Sequence, residues 1–167
     1  TCVAILGTGS IGTRHLKCLR QIDGAKPIAV PRRQERIGQL QKAGFATAVD
    51  LGDAVRQGAR LCIVATDTIR HAEDSLNAME LGLDVLIEKP LAPHADEAKR
   101  VYEVAIQSNR RIFVGCVLRF SESLNQFRDL LERVGPLHSV RIESQSYLPD
   151  WRPDRPYRDS YSARELE

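Results

Sequence analysis

The chain has 167 residues, 43% of them hydrophobic and 28% charged, enough for one complete domain or for one domain and part of a second. Its formal net charge of +2 carries no signal for nucleic acid or for an acidic membrane surface. No apolar run approaches the roughly 20 residues that a membrane span requires, and no signal peptide is visible, because the first residues already read as a strand.

Val3-Ala4-Ile5-Leu6 is a continuous apolar run followed at once by glycine, the pattern of a strand buried on both faces of a parallel sheet. Ile11, Leu16, Leu19 and Ile22 follow at near-helical spacing until Gly24 stops them. Residues 27–30 predict a second strand, 33–43 a helix capped by Gly44, 46–49 a short strand and 53–57 a brief helix. Residues 61–65 form the clearest buried strand. A helix over 71–81 comes next, with Ala72, Leu76 and Met79 on one face. A strand over 84–88 ends at Pro90. A helix over 95–108 and a strand over 112–117 close the series. Strand and helix thus alternate six times in about 118 residues, which predicts an α/β fold: a doubly wound, Rossmann-type parallel sheet over residues 1–119, covered on both faces.

The pattern then changes. Leu124, Phe127, Leu131 and Val134 give a strongly amphipathic helix over 122–134, broken by Gly135-Pro136. Leu137, Val140 and Ile142 lie in an alternating stretch, 137–147, that reads as one long strand. Residues 148–167 are polar and rich in Pro and Arg. One strand without partners is not a domain. Residues 120–167 are therefore expected to begin an incomplete α+β domain for substrate binding and oligomerisation. The chain starts at Thr1 rather than Met, so the true N-terminus is expected upstream.

Four cysteines occur, Cys2, Cys18, Cys62 and Cys116, with no CxxC pair and no zinc-type spacing. No metal is expected. Cys2, Cys62 and Cys116 sit in apolar runs and read as small buried hydrophobes of a reducing, cytoplasmic protein.

Gly7-Thr8-Gly9-Ser10-Ile11-Gly12 joins the first strand to the first helix. The first glycine permits a tight turn, the second lets backbone approach a pyrophosphate, and the third lets helix and strand pack closely. Ser10 and Ile11 open a helix whose free N–H groups and positive dipole end suit phosphate. Set between a buried strand and a helix, the motif predicts dinucleotide binding. Arg32 and Arg33 stand where an acid would take the ribose hydroxyls of NAD, and two guanidiniums there suit a 2′-phosphate. The expected cofactor is NADP, with NAD as the alternative. Glu88-Lys89-Pro90 is the carboxyl tip of the fifth strand, on the nicotinamide side in the usual strand order. Lys89 there can hydrogen-bond a substrate hydroxyl and help move its proton.

With these motifs the sequence resembles the glucose–fructose oxidoreductase/inositol dehydrogenase family (Gfo/Idh/MocA). The likeness spans nearly the whole chain. It rests on Gly7 to Gly12, on Val64-Ala65-Thr66 with His71 downstream, on the run from Gly82 to Glu88-Lys89-Pro90, and on Arg119-Phe120. The resemblance implies an NAD(P)-dependent oxidoreductase that oxidises a sugar or cyclitol hydroxyl, or reduces the matching ketone. It implies that Lys89 contacts the reacting hydroxyl, next to a Lys89-Pro90 bond that is often cis. It implies that Thr66 and the loop after it line the nicotinamide side, that Glu88 contacts the cofactor or fixes the loop, and that His71 lies near the nicotinamide. Arg119 would lie beside the cleft, and Trp151 with Arg152 would reach toward cofactor or substrate. The sequence departs from the family at Asp67, where proline is common. The family's Asp/His partner of the lysine and its dimer-forming sheet would lie beyond Glu167. The parent protein is therefore expected to be a homo-oligomer acting on a small sugar-like substrate, and this chain to bind cofactor but turn over poorly. The alternative is a module that senses NAD(P) without catalysis. His15 and His94, with no acid paired to them in sequence, read as structural or exposed.

Overall fold

The computed structural model describes residues 1–151 together with 156 and 158. The chain divides into two compact units, one of Thr1–Cys116 and one starting at Val117.

In the first unit the elements alternate in chain order: β1 (Cys2–Leu6), α1 (Ser10–Leu19), β2 (Lys26–Val30), α2 (Arg36–Lys42), β3 (Ala46–Thr47), α3 (Leu51–Arg56), β4 (Ala59–Val64), α4 (His71–Glu80), β5 (Asp84–Ile87), α5 (Ala95–Gln107) and β6 (Ile112–Val114). The strands form one six-stranded sheet in the order β3-β2-β1-β4-β5-β6, and every pair is parallel. The order reverses between β1 and β4, so their carboxyl ends flank the switch point at which such sheets take ligands.

Two apolar layers hold the sheet. Ala4, Leu6, Val30, Val64, Val85 and Ile87 share one core with Ala54 of α3, Ala78 and Met79 of α4 and Val101 of α5. Val3, Ile5, Ala29, Ile63 and Ala65 face the other way, with Leu16 of α1 and Leu40 of α2. Neighbouring residues of β1, β2 and β4 are thus buried on opposite faces, which is why these strands read as unbroken apolar runs. Cys62 lies inside the first core, and burial pushes its thiol up to about 12. Cys116, expected inside, is exposed, because β6 ends at Val114 and Cys116 falls in the connection to the second unit.

In the second unit, α6 spans Glu122–Leu131. The strand predicted over 137–147 is not formed, and residues 137–147 are exposed. A strand needs a hydrogen-bonded neighbour, and the described residues of this unit supply none.

At the amino ends of the outer strands, Arg111 ties β6 to β5. Its backbone N–H donates to Asp84 Oδ1 at 2.9 Å, and its guanidinium donates to Oδ2 at 2.6–2.8 Å. These contacts, the backbone one first, hold the Asp84 carboxyl below its ordinary range. A lowered folded-state pKa stabilises above the unfolded value, and the stabilisation is lost as pH falls through the folded one. Asp84→Asn is expected to lower stability by about 1 kcal/mol at neutral pH. Urea melts of both chains should converge as the medium is acidified below the usual carboxylate range. A gap that persists there contradicts the assignment.

Candidate functional site

The site grows from the end of β1. Gly7 has φ of +87°, and a Cβ on it would stand 2.7 Å from the Ala65 carbonyl oxygen, just beyond β4. On Gly12 a Cβ would stand 1.9 Å from the Gly7 carbonyl oxygen, so α1 and the strand tip meet backbone to backbone. Gly9 is different: nothing lies within 4 Å of its Cβ position. Its lack of a side chain leaves an open cradle before the helix, which is the space a pyrophosphate needs. The start of α1 has no side-chain cap and no acid in its first turn. Its N–H groups, over Ser10, Ile11 and Gly12, are therefore left for an anion. The donor set and the cradle both fit a dinucleotide.

Two arginines converge near this loop from the region after β2. The Arg36 guanidinium donates to the Thr8 carbonyl inside the glycine loop. Arg32, about half exposed, has Nη1 3.6 Å from Oδ1 of the buried Asp74. Asp74 also accepts a 2.7 Å hydrogen bond from Thr66 Oγ1 and faces Arg70 at 3.4 Å. Arg32 is thus oriented by a fixed carboxylate and keeps further N–H groups for a second anion. Arg33 is exposed.

Thr66 follows β4, and the loop after it winds into a short 3-10 turn, Thr68–Arg70, that leads into α4. Asp67 has φ of −69° and ψ of 144°, angles a proline would adopt, so the loop keeps the course that proline would impose. Glu88, Lys89 and Pro90 follow β5, and the Lys89–Pro90 bond is cis. Lys89 is exposed. Glu88 is largely buried and accepts a 2.7 Å hydrogen bond from His15 Nε2 of α1. Gly115 gives it room: a Cβ there would lie 3.4 Å from Glu88 Oε1.

His71 departs from its expected role as a cofactor contact. The residue is 2% exposed, and both ring nitrogens face backbone oxygens: Nδ1 stands 2.7 Å from Pro90 O and Nε2 3.0 Å from Thr66 O. No ring nitrogen is left for a cofactor. Arg119 lies in a 3-10 turn, Val117–Phe120, of the second unit. Trp151 ends another, Leu148–Trp151, and Arg152 lies outside the described residues. Among the described residues, no group of three or more His, Cys, Asp or Glu is placed to hold a metal, and no helix is long and apolar enough to cross a membrane.

Glycine loop, Arg32, Thr66, Glu88 and Lys89 therefore gather along the carboxyl edge of one parallel sheet. A family model for the NAD-binding Rossmann fold of an oxidoreductase family, GFO_IDH_MocA, matches residues 2–116. The chain belongs to the Gfo/Idh/MocA oxidoreductases. Among curated members it is 33% identical over 124 residues to an inositol 2-dehydrogenase of Pseudarthrobacter chlorophenolicus, covering 71% of this chain and 37% of the relative. It is 28% identical over 150 residues to a 4-carboxy-2-hydroxymuconate-6-semialdehyde dehydrogenase of Sphingobium sp., covering 87% and 47%. The fold matches that of the WlbA dehydrogenase from Bordetella pertussis, solved with NADH and UDP-GlcNAcA, at a TM-score of 0.72 and 24% identity, over 79% of this chain and 39% of that one. The chain thus spans less than half the length of these Gfo/Idh/MocA relatives.

Three residues of the edge escaped the sequence reading. Arg36 sits one turn after Arg33, and its basic charge was a usable local signal. Asp74 lies in the first turn of α4, where an acid needs no reason beyond the helix dipole, so nothing local marks it. His15 had no paired acid nearby because its partner, Glu88, is 73 residues away.

The glycines separate fold from binding. Gly12→Ala is expected to destabilise the chain, since the Gly7 carbonyl cannot retreat without moving β1. Gly9→Ala should melt like the parent yet weaken NADPH binding at least tenfold. Calorimetric melting and fluorescence titration check both, and unchanged NADPH affinity in Gly9→Ala would contradict the cradle.

Proposed function

We propose that this chain is the dinucleotide-binding half of an NADP-preferring oxidoreductase that transfers a hydride to or from the carbon of a sugar or cyclitol hydroxyl. The observation that carries the reading is the placement of an exposed Lys89 at the tip of β5, two strands from the uncapped glycine loop on β1 along the same sheet edge. When bound, NADP supplies the hydride acceptor or donor. The residues of the chain do the rest. The amides after Gly9 and the helix dipole hold the pyrophosphate. Thr66 lines the nicotinamide side, with its hydroxyl turned to Asp74 and its position thereby fixed. Lys89 donates a hydrogen bond to the substrate oxygen, orients it, and stabilises the negative charge that builds on that oxygen as hydride adds to the carbonyl carbon.

The NADP preference rests on Arg32, Arg33 and Arg36, three guanidiniums after β2 with no acid before Glu35. Arg32 is held by Asp74 and Arg36 by the glycine loop, so two of the three are already oriented toward the cofactor end of the sheet. A cyclitol or sugar is favoured by the inositol 2-dehydrogenase relative, while the semialdehyde dehydrogenase relative marks a second substrate chemistry within the family. Free thiols at Cys2, Cys18, Cys62 and Cys116 favour a cytoplasmic setting. The whole protein is taken to be a homo-oligomer. A module that senses NAD(P) without catalysis is the second reading, and the exposed Lys89 at the tip of β5 favours the enzyme.

Two outcomes test the proposal. Arg36→Ala and Arg32→Ala are each expected to weaken NADPH binding about tenfold and NADH binding little, as loss of a charge-assisted phosphate contact would. Equal affinity of the parent chain for NADH and NADPH, unchanged by either substitution, would overturn the preference. In the whole protein, Lys89→Ala is expected to lower kcat for NADP-linked oxidation of myo-inositol at least ~100-fold while cofactor Kd stays within threefold. NADPH binding without turnover of any cyclitol or sugar would favour the sensor.

A further inference from the structure

Lys89 makes no hydrogen bond or ion pair among the described residues, yet both of its chain neighbours are held by histidines. Before it, the Glu88 carboxylate accepts from His15 Nε2 at 2.7 Å. After it, the Pro90 carbonyl stands 2.7 Å from His71 Nδ1. The two rings come from opposite faces of the sheet. His15 is on α1, whose Leu16 belongs to the core on one face, and His71 opens α4, whose Ala72, Ala78 and Met79 belong to the core on the other. His71 also spans sideways, because its Nε2 meets the Thr66 carbonyl at the end of β4. The residues that fix the rings are themselves fixed. His15 lies one helical turn after Gly12, where α1 touches the strand tip. His71 is fully enclosed, and its own carbonyl accepts from Ser75 Oγ at 2.6 Å.

We propose that His15 and His71 form a two-sided clamp that sets the direction in which Lys89 projects, and are positioning residues for it. The proposal rests on the reading of Lys89 given above. A side chain on an exposed turn samples several rotamers, and a reacting group must be held to within a fraction of an ångström. The tethers hold the side chain of the residue before Lys89 and the peptide after Pro90, so the turn is pinned on either side of Lys89 and the freedom of its backbone to swing is reduced. The two tethers differ chemically. His15 meets a carboxylate. His71 meets two carbonyl acceptors, so its doubly protonated ring donates to both, and its neutral ring to one at a time. In the same geometry, His15 links the helix that receives the pyrophosphate to the turn that carries the lysine. Cofactor seated on α1 and Lys89 are thereby held in one frame.

The test reads Lys89 with NADPH as the probe and needs no substrate. The five lysines of the full chain are reductively methylated with a 13C label, which keeps their charge, and the Lys89 signal is identified by its loss in Lys89→Arg. In the parent chain this signal is expected to shift on saturation with NADPH. In His15→Ala and His71→Ala, NADPH Kd should stay within threefold while the Lys89 shift falls by at least half. His15→Gln, which keeps a donor at the Nε2 position, and His71→Asn, which keeps one at Nδ1, should restore the response. His71→Gln, which keeps only the Nε2 donor, should not. An unchanged Lys89 response in both alanine variants overturns the clamp. So does a response lost in step with NADPH affinity, or one that Gln and Asn fail to restore. Where His71→Ala does not fold, His71→Asn against His71→Gln decides the case, and equal responses from the two overturn the role of the Pro90 contact. A parent chain that binds NADPH with no shift at Lys89 overturns the Lys89 assignment instead. The clamp is then judged by hydrogen exchange at the Glu88 amide, which donates to the Val64 carbonyl at 3.0 Å and which the clamp predicts to exchange at least tenfold faster in His15→Ala, with no change overturning it.

Discussion

The site depends on one close approach. α1 starts so near the tip of β1 that a single Cβ on Gly12 would fall 1.9 Å from the Gly7 carbonyl oxygen. Only backbone can come that near, and the contact places the whole helix. It sets the uncapped N–H groups before the open space at Gly9. One turn later it brings His15 to Glu88 across the end of the sheet. A helix displaced by even the width of a methyl group would lose both relations. The glycine thus links cofactor binding to the lysine turn as well as permitting a tight bend.

The sheet turns this local contact into a site by symmetry of direction. All six strands are parallel, so every loop after a strand opens on the same edge, and residues from distant parts of the sequence collect there. The loops after β1, β2, β4 and β5 supply the glycine turn, the arginines, Thr66 and Lys89. Buried polar side chains stitch these loops together. Asp74 joins Arg32 to Thr66, and His71 joins Thr66 to Pro90. Such groups are costly to bury unless paired, and their pairing here fixes loops that would otherwise be free.

Much of this was legible in the sequence. Apolar runs such as Val3–Leu6 and 61–65 revealed a sheet buried on both faces, and the glycine spacing located its phosphate turn. Glu88-Lys89-Pro90 stood out because the resemblance gave a strand tip chemical meaning. Periodicity carried no information on what paired with what across the fold. His15 and Glu88 are 73 residues apart, and nothing local marks them as partners. The resemblance puts His71 near the nicotinamide by its place in the chain, whereas its burial follows from how α4 packs. The stretch 137–147 failed for a simpler reason: alternation describes a strand's faces, but a strand also needs a neighbour. Cys116 followed the same logic, as an apolar surrounding in sequence did not become one in space.

Amide chemical shifts of the 15N-labelled chain during titration with NADPH test the central claim most directly. The account predicts saturable shifts concentrated at Gly9, Ser10, Ile11 and Gly12, with a second group at Thr66 and Lys89. No saturable shift, or shifts that leave the Gly7–Gly12 turn unmoved, would contradict it.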